Sequence, residues 1–366
     1  MLFQDVCLSA MGVTLPNEVW SSDDLERMLA PVYSRLRLPE GRLELMTGIR
    51  QRRVWDEGTN PSGPSITSGK AAIDASPVER QQIGCLIHAS VCRDFLEPAT
   101  ASRVHDGLSL PADCWVYDVS NACLGLLNGM VQIASMIQAG MIRAGIVVGT
   151  ENSRPLLQQT IHHLNTDTNL TRRSVKPAFA SLTIGSGSCA MLLCHRDLHE
   201  DATRVRTAIA QAHTQHHDLC VSGTDTAGAE MTPLMDTDSE KLMEEGVATG
   251  VAASKRFFEQ SGWQPDAIGR SICHQVGQRH RETQMNAMGL PMNRDTVTFP
   301  ILGNTGSVAL PLTLAAAAVR GDLQCDDTVG LFGIGSGINS AMVGCHWGDC
   351  HVAGNAGELI DTAHQN

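Results

Sequence analysis

Cys123 lies between a short β-type run, Cys114 to Val119, and an apolar helical run, Leu124 to Ile137. Small residues connect the two runs, so we predict that the thiol lies on a sharp turn that opens a helix. The free N–H groups and the positive dipole end of a helix stabilise a thiolate and lower the thiol pKa. The sequence therefore predicts Cys123 as a nucleophile, and a buried structural cysteine is the alternative.

Two further polar residues follow predicted apolar runs and supply groups that a thiolate nucleophile needs. His274 follows the predicted strand Ala267 to Ile272, and Asn304 precedes the Ala-rich helix Ser307 to Val319. An imidazole can move a proton or donate to an oxyanion, and an amide N–H is a second, neutral donor. A structural histidine and a simple turn are the alternatives for each residue taken alone. Their joint placement favours one shared catalytic site.

A recurring segment indicates that the elements holding these residues form two similar halves. Ile-Gly-Ser-Gly occurs at 184–187 and at 334–337, and each copy leads through Ala-Met to Cys-His. Such glycine-punctuated hairpins fit a duplicated βαβ layout with two sheets and central helices between them. The predicted parts are an N-terminal half at 1–198 with an inserted segment at 150–182, a C-terminal half at 199–347, and a mobile polar tail at 348–366.

The motifs around these residues resemble those of ketoacyl synthase III-type condensing enzymes, which belong to the thiolase superfamily. They are Asn-Ala-Cys at 121–123, His-Gln-Val at 274–276, Gly-Asn-Thr-Gly-Ser at 303–307, Thr-Gly-Ile-Arg at 47–50 and Gly-Ser-Gly at 335–337. The resemblance covers residues 1–347 and implies the thiolase fold, an α/β sandwich with the layers α-β-α-β-α. It also implies an acyl-enzyme at Cys123, catalysis by His274 and Asn304, and an oxyanion hole formed by the N–H groups of Cys123 and Ser336.

A closer resemblance is to the members of this family that join two fatty acyl chains head to head in olefin biosynthesis. It rests on Met1 to Gln4, Ser90 to Pro98 and the glycine loop 333–339. This resemblance implies that Glu97 removes an α-proton across a homodimer interface, so that two acyl-coenzyme A (acyl-CoA) molecules give a β-keto acid. A solvated loop carboxylate is the alternative for Glu97.

Other reactions fit the same residues. Decarboxylative condensation with malonyl carrier protein needs only the nucleophile, His274 and Asn304, and acyl transfer to an oxygen or nitrogen acceptor needs no condensation step. An inactive acyl-binding protein is a further alternative. The acyl donor is either coenzyme A or a carrier protein. Arg52, Arg53 and Arg279 are candidates for binding the pantetheine phosphates, and a solvated basic surface is their alternative.

The composition narrows the classes of function. The chain has 366 residues, a net charge of −12 and a pI near 5.6, and it lacks the clustered cations of a nucleic-acid-binding protein. No positive signal region and no apolar run near the ~18 residues of a membrane span are present, so we predict a cytoplasmic enzyme. We predict reduced thiols for the twelve cysteines, and a reaction without metal or redox cofactor. A solvated loop is favoured over a metal site for the cluster His213, His216, His217 and Asp218.

Overall fold

The chain folds into a mixed α/β protein in the computed structural model, which describes residues 1–222 and 234–360. Apolar runs rich in β-branched and small residues form the strands. The strands are β1 (Val6–Thr14), β2 (Glu18–Ser21), β3 (Gln51–Val54), β4 (Ile83–Ala89), β5 (Trp115–Val119), β6 (Ala144–Glu151), β7 (Gly187–His195), β8 (Thr203–Ala212), β9 (Cys220–Ser222), β10 (Met235–Thr237), β11 (Arg270–Cys273), β12 (Thr328–Gly335), β13 (Asn339–His346) and β14 (His351–Gly354).

Ten of the described strands form one hydrogen-bonded sheet with two similar halves. The N-terminal half has the order β5-β4-β6-β7-β1, in which β7 is antiparallel to its neighbours. The C-terminal half has the order β11-β12-β13-β8, in which β13 is antiparallel, and a bridge between Ser271 and Asp295 replaces the missing edge strand. The halves meet where Cys7 pairs with Arg204 on β8. This repeated order agrees with the predicted duplication.

The helices lie in the outer layers and in the space between the half-sheets. They are α1 (Ser22–Met28), α2 (Ala30–Leu36), α3 (Arg42–Thr47), α4 (Ser62–Asp74), α5 (Thr100–Leu108), α6 (Gly125–Gln138), α7 (Arg154–Thr166), α8 (Lys176–Phe179), α9 (Ser239–Ser261), α10 (Gln278–Met288), α11 (Phe299–Leu302) and α12 (Ala309–Val319). Within residues 1–222 and 234–360, no helix has both the length and the hydropathy needed to cross a bilayer.

Helices α6 and α12 form the middle layer because they are apolar on nearly every side. Leu126, Ile133 and Leu312 are fully buried in one core that also contains side chains from both half-sheets. Helices α4 and α5 cover the outer face of the N-terminal half, and α9 and α10 cover that of the C-terminal half. The layers are therefore α-β-α-β-α, as the resemblance predicts.

The inserted segment 150–182 is largely helical. It forms α7 and α8, which pack with α1 and α2 around a separate apolar cluster that contains Leu25, Leu157 and Leu182. The segment is therefore not a plain surface loop. Its buried leucines anchor it beside the N-terminal half.

The C-terminal segment differs from the predicted mobile tail. β14 pairs in parallel with β1, and Leu359 is fully buried against the central core. Gly354 permits this pairing because its φ is +87° and a Cβ there would lie 2.0 Å from the carbonyl oxygen of Val13. The prediction of a mobile tail is therefore wrong for 348–360, and 361–366 lie outside the described residues.

Candidate active site

Cys123 lies on the turn between β5 and α6. Ala122 has a φ of 45°, a left-handed conformation that is uncommon for a residue with a Cβ. The Leu124 N–H donates to the Asn121 carbonyl at 2.9 Å, and the Asn121 side-chain amide donates to Asn128 Oδ1 at 2.8 Å. These bonds hold the turn, which places the half-buried Cys123 just before α6 begins.

The C-terminal part of β12 borders both Cys123 and His274. His274 follows β11, and its backbone N–H donates to the carbonyl oxygen of Phe332 on β12 at 3.2 Å. Three residues further along β12, a Cβ on Gly335 would lie 3.1 Å from Leu124 Cγ and 3.5 Å from the Cys123 backbone nitrogen. The strand therefore brings the histidine and the cysteine turn to one edge of the middle layer.

Asn304 reaches the same edge from the turn that precedes α12. Its backbone N–H donates to the Thr183 carbonyl, and its carbonyl accepts the Gly185 N–H, both at 2.9 Å. Its Oδ1 accepts the N–H of Gly306 at 3.0 Å, which orients the amide and leaves Nδ2 as the donor for a substrate. The following Ser307 packs on the start of α6, where a Cβ on Gly125 would lie 3.4 Å from Ser307 Cβ.

Ser336 begins the tight turn from β12 to β13. Ile338 in this turn has a φ of 51°, and its carbonyl accepts the N–H of His213 at 2.8 Å. Because Gly335 borders the Cys123 backbone, the next N–H along the chain, that of Ser336, lies at the same edge. A pair of backbone N–H groups beside a nucleophile is the arrangement that an oxyanion hole needs.

The protonation of Cys123 differs from the expectation based on its position before a helix. Although the residue as a whole is half-buried, desolvation, together with the Glu151 carboxylate and the Cys220 thiol, raises the pKa of its thiol to about 12. Burial, and then the nearby His280, lower the pKa of His274 to about 3. Desolvation thus outweighs the helix dipole, so the prediction of a lowered thiol pKa is wrong. At neutral pH the pair is a thiol and a neutral imidazole.

Two buried histidines make stability depend on pH. Burial lowers the pKa of His88 to about 4 and that of His274 to about 3, against an ordinary value of 6.5. Below pH 6.5 the unfolded chain takes up protons at these rings while the folded chain does not. We expect the free energy of unfolding to fall as the pH drops from 6.5 to 5, by up to about 1.4 kcal/mol per pH unit for each histidine. Urea unfolding at pH 7.5, 6.5, 5.5 and 5 measures this slope.

A matched pair of variants identifies the source of the slope. His88→Gln should reduce the slope by the contribution of one histidine, because that buried ring is gone while His274 remains. His217→Gln should leave it unchanged, because His217 is exposed. Equal unfolding midpoints at pH 7.5 and pH 5 in the wild type would contradict this prediction.

The three arginines proposed for phosphate binding lie in different environments. Arg52 is 1% exposed and donates to the Trp20 carbonyl and the Ser22 hydroxyl at 3.3 Å, and burial lowers its pKa to about 10. Arg53 pairs with Glu358 at 2.5 Å. Arg279 is exposed on α10. We therefore assign Arg52 to the fold, which corrects its prediction as a phosphate ligand, while Arg53 and Arg279 stay candidates.

Glu97 lies at the tip of an anchored but exposed segment, residues 90–99. Asp94 anchors it, because its buried carboxylate accepts the Ser62 N–H at 2.9 Å and an Arg103 N–H at 2.6 Å. Phe95 and Leu96, just before Glu97, are 50% and 62% exposed. No described residue of the same chain hydrogen-bonds to the Glu97 carboxylate, which is itself exposed. The segment thus presents an acidic group amid uncovered apolar side chains.

The structure adds one residue, Glu151, that sequence analysis missed. It ends β6, is 5% exposed, and is a carboxylate that raises the pKa of Cys123. The signal in the sequence is an acidic residue at the end of the otherwise uncharged run Ala144 to Thr150. A buried carboxylate in such a run is unusual unless it accepts several hydrogen bonds.

A possible metal-binding cluster lies next to the Ser336 turn. Ring nitrogens of His213 and His216 and an oxygen of Glu245 lie within 4.8 Å of one another, and the turn between the two histidines places both rings on one side. Each group already has a protein partner: His216 Nε2 is 3.2 Å from Glu245 Oε2, and His213 Nδ1 is 3.1 Å from the Thr249 hydroxyl. The prediction that the reaction needs no metal stays a prediction.

Comparison with known proteins places this geometry in a family. A family model described as the C-terminal part of 3-oxoacyl-[acyl-carrier-protein] synthase III matches residues 258–347. An acyl-CoA:acyl-CoA alkyltransferase of Shewanella oneidensis is 36% identical over 95% of this chain and 100% of that protein, and one of Xanthomonas campestris is 29% identical over the same shares. A serine variant of Xanthomonas campestris OleA, crystallised with bound lauric acid and lauroyl-CoA, has a TM-score of 0.89 at 29% identity and covers 94% of this chain and 100% of that one.

The fold and the site define a condensing enzyme of the thiolase superfamily, as the sequence motifs indicated. Within that superfamily the chain belongs to the acyl-CoA:acyl-CoA alkyltransferase (OleA) family, since more than a third of its positions match a relative over nearly the whole length. Other solved structures of Xanthomonas campestris OleA carry substitutions of a glutamate or a cysteine. Those two residues are separated by the same number of positions as Glu97 and Cys123.

Proposed function

We propose that this protein condenses two fatty acyl-CoA molecules to a β-keto acid through an acyl-enzyme on Cys123. The observation that carries the proposal is the convergence of Cys123, His274 and Asn304 at one edge of the middle layer, in a chain of the OleA family. The relatives at 36% and 29% identity are named for alkyl transfer between two acyl-CoA molecules. This name fits the chemistry of the site.

In the first half-reaction the Cys123 sulfur attacks the carbonyl carbon of an acyl-CoA. The negative oxygen of the tetrahedral intermediate accepts hydrogen bonds from the backbone N–H groups of Cys123 and Ser336. Such a pair of donors stabilises the intermediate by several kcal/mol. The bond from carbon to the coenzyme A sulfur then breaks. Because the Cys123 thiol starts protonated, its proton leaves with coenzyme A, and neutral His274 is the group that can carry it.

In the second half-reaction Glu97 of the partner subunit removes an α-proton from a second acyl-CoA. His274 and the Asn304 Nδ2 stabilise the enolate oxygen as N–H donors. The enolate carbon attacks the acyl carbon on Cys123, the carbon–sulfur bond breaks, and the Cys123 sulfur recovers a proton from Glu97 of the partner subunit. Hydrolysis of the resulting β-ketoacyl thioester releases the β-keto acid and a second coenzyme A.

The homodimer is part of the proposal, because Glu97 is exposed and points to no partner among the described residues of its own chain. The uncovered Phe95 and Leu96 beside it suit a protein interface. Strand β5 supplies a second such feature, since it is an edge of the sheet and its Trp115 is 58% exposed. An isologous interface would complete two equivalent sites.

The remaining parts of the proposal concern the donor and the location. The acyl donor is a coenzyme A thioester, with a carrier protein as the alternative. The chemistry uses the groups of the chain, its two substrates and water. All twelve cysteines are free thiols, which supports a cytoplasmic location because such thiols persist in a reducing compartment.

The proposed reaction predicts product formation from acyl-CoA alone. Purified protein given only a long-chain acyl-CoA should release coenzyme A and form a β-keto acid, which loses carbon dioxide to give a symmetric ketone. Mass spectrometry of the ketone and a thiol assay for coenzyme A measure both products. If the protein makes no ketone from acyl-CoA but condenses it with malonyl carrier protein, the decarboxylative reaction replaces the proposed one.

A further inference from the structure

A buried carboxylate that takes no part in the proposed steps contacts several parts of the active site. Glu151 ends β6, and its partners in the described part of the chain are N–H and O–H donors. Hydrogen bonds to a buried charge are strong. If the charge is removed, each buried donor loses its partner, which costs free energy of folding. The carboxylate therefore fixes the segments that supply its donors.

On one side Glu151 holds the turn that carries Asn304. The Ser307 hydroxyl donates to Glu151 Oε1 at 2.5 Å, and the Ser307 N–H lies 3.3 Å from the same oxygen. A Cβ on Gly306 would lie 3.2 Å from Glu151 Cδ, so this part of the turn lies directly on the carboxylate. Because the Gly306 N–H orients the Asn304 amide, a shift of this turn would move the Asn304 donor.

On the other side Glu151 holds the segment that leads to Glu97. The Val91 N–H donates to Oε1 at 3.0 Å, and the Cys92 N–H donates to Oε2 at 3.3 Å. Asp94 is the second anchor of this segment. Glu97 follows three residues after that anchor, so its placement depends on both carboxylates.

We propose that Glu151 is a positioning residue that keeps the Asn304 turn and the Glu97 segment in a single arrangement. The inference rests on the proposed function, in which Glu97 acts in the partner's active site and Asn304 acts in its own. One buried carboxylate then fixes the position of Asn304 in its own active site and the position of Glu97 in the active site of the other subunit. Only the second half-reaction uses both groups, so the effect of Glu151 falls on condensation and not on acylation.

Glu151→Gln tests the proposal, because glutamine keeps the size but turns an NH₂ group toward N–H donors. Condensation should fall about 10- to 100-fold, because small displacements of catalytic groups cause losses of this size. Acylation of Cys123 by acyl-CoA should not fall below the wild-type rate. Hydrogen exchange should rise in 91–98 and 304–308. Loss of the nearby negative charge should also shift the pH profile of Cys123 alkylation by iodoacetamide to lower pH.

Glu26→Gln is the matched control. Glu26 is 7% exposed and accepts the N–H groups of Gly41 and Leu43, at 2.6 and 2.8 Å, and the Tyr33 hydroxyl at 3.2 Å. This variant should lower the stability without changing the ratio of the two half-reaction rates.

Two results would overturn the role of Glu151: an equal loss of acylation and condensation in Glu151→Gln, or unchanged exchange in 91–98. If the wild type does not condense acyl-CoA alone, the proposed function fails. The exchange measurement needs no condensation, so it still decides whether Glu151 holds the two segments together.

Discussion

Replacing Cys123 with alanine is expected to abolish both acylation and the release of coenzyme A. A methyl group cannot attack a thioester, and the turn that presents Cys123 carries no second thiol. Incubation with an acyl-CoA, followed by peptide mass mapping, should place the acyl group on Cys123 in the wild type. The variant should show no mass increment and no thiol release above background.

Cys325→Ala is the control for this result, because Cys325 is an exposed thiol. It should acylate at the wild-type rate. An acyl group that persists in Cys123→Ala, or that maps to Cys92 or Cys220 in the wild type, would contradict the assignment of the nucleophile.

Replacing Glu97 with alanine is expected to remove condensation while Cys123 still becomes acylated. Loss of a positioned base typically costs 10²- to 10⁴-fold in rate, so we expect ketone formation to fall by about that factor. Single-turnover acylation and ketone yield, measured on the same preparation, separate the two half-reactions. Glu57→Ala, which removes another exposed carboxylate, should leave both rates unchanged.

Mixed dimers test whether Glu97 acts across the interface. A dimer of one Cys123→Ala chain and one Glu97→Ala chain has one site with an intact Cys123 and an intact Glu97 of the partner subunit. It should therefore recover about half of the wild-type condensation activity. Inactive mixed dimers, or an active monomer in sedimentation at assay concentration, would show that each chain completes its own site.

The pattern around the candidate nucleophile was readable in the sequence because it is local. Cys123 follows a β-type run and precedes an apolar helical run, and the structure has β5, the turn and α6 in that order. The same holds for His274 after β11 and for Asn304 before α12. The repeated Ile-Gly-Ser-Gly segments likewise indicated two halves, because similar sequences fold into similar strand orders.

Other features depended on contacts between distant segments. Val352 and its neighbours form β14 only because β1 offers an edge, and Leu359 becomes buried only because the central core is adjacent. Arg52 lies in a basic run that looks exposed in sequence, yet the strand β3 places it in the interior. Local secondary-structure propensity does not indicate which residues become buried by contacts with distant segments.

The sequence by itself determined which side chains can react and the order of the elements that carry them. Periodicity, small-residue turns and motif spacing are properties of a short stretch of chain, so they can be recognised without knowledge of the fold. Only the tertiary structure decided how these groups are protonated and held. The raised pKa of Cys123, the lowered pKa of His274 and the contacts of Glu151 arise from burial and from charges on other strands, and both depend on how the segments pack together.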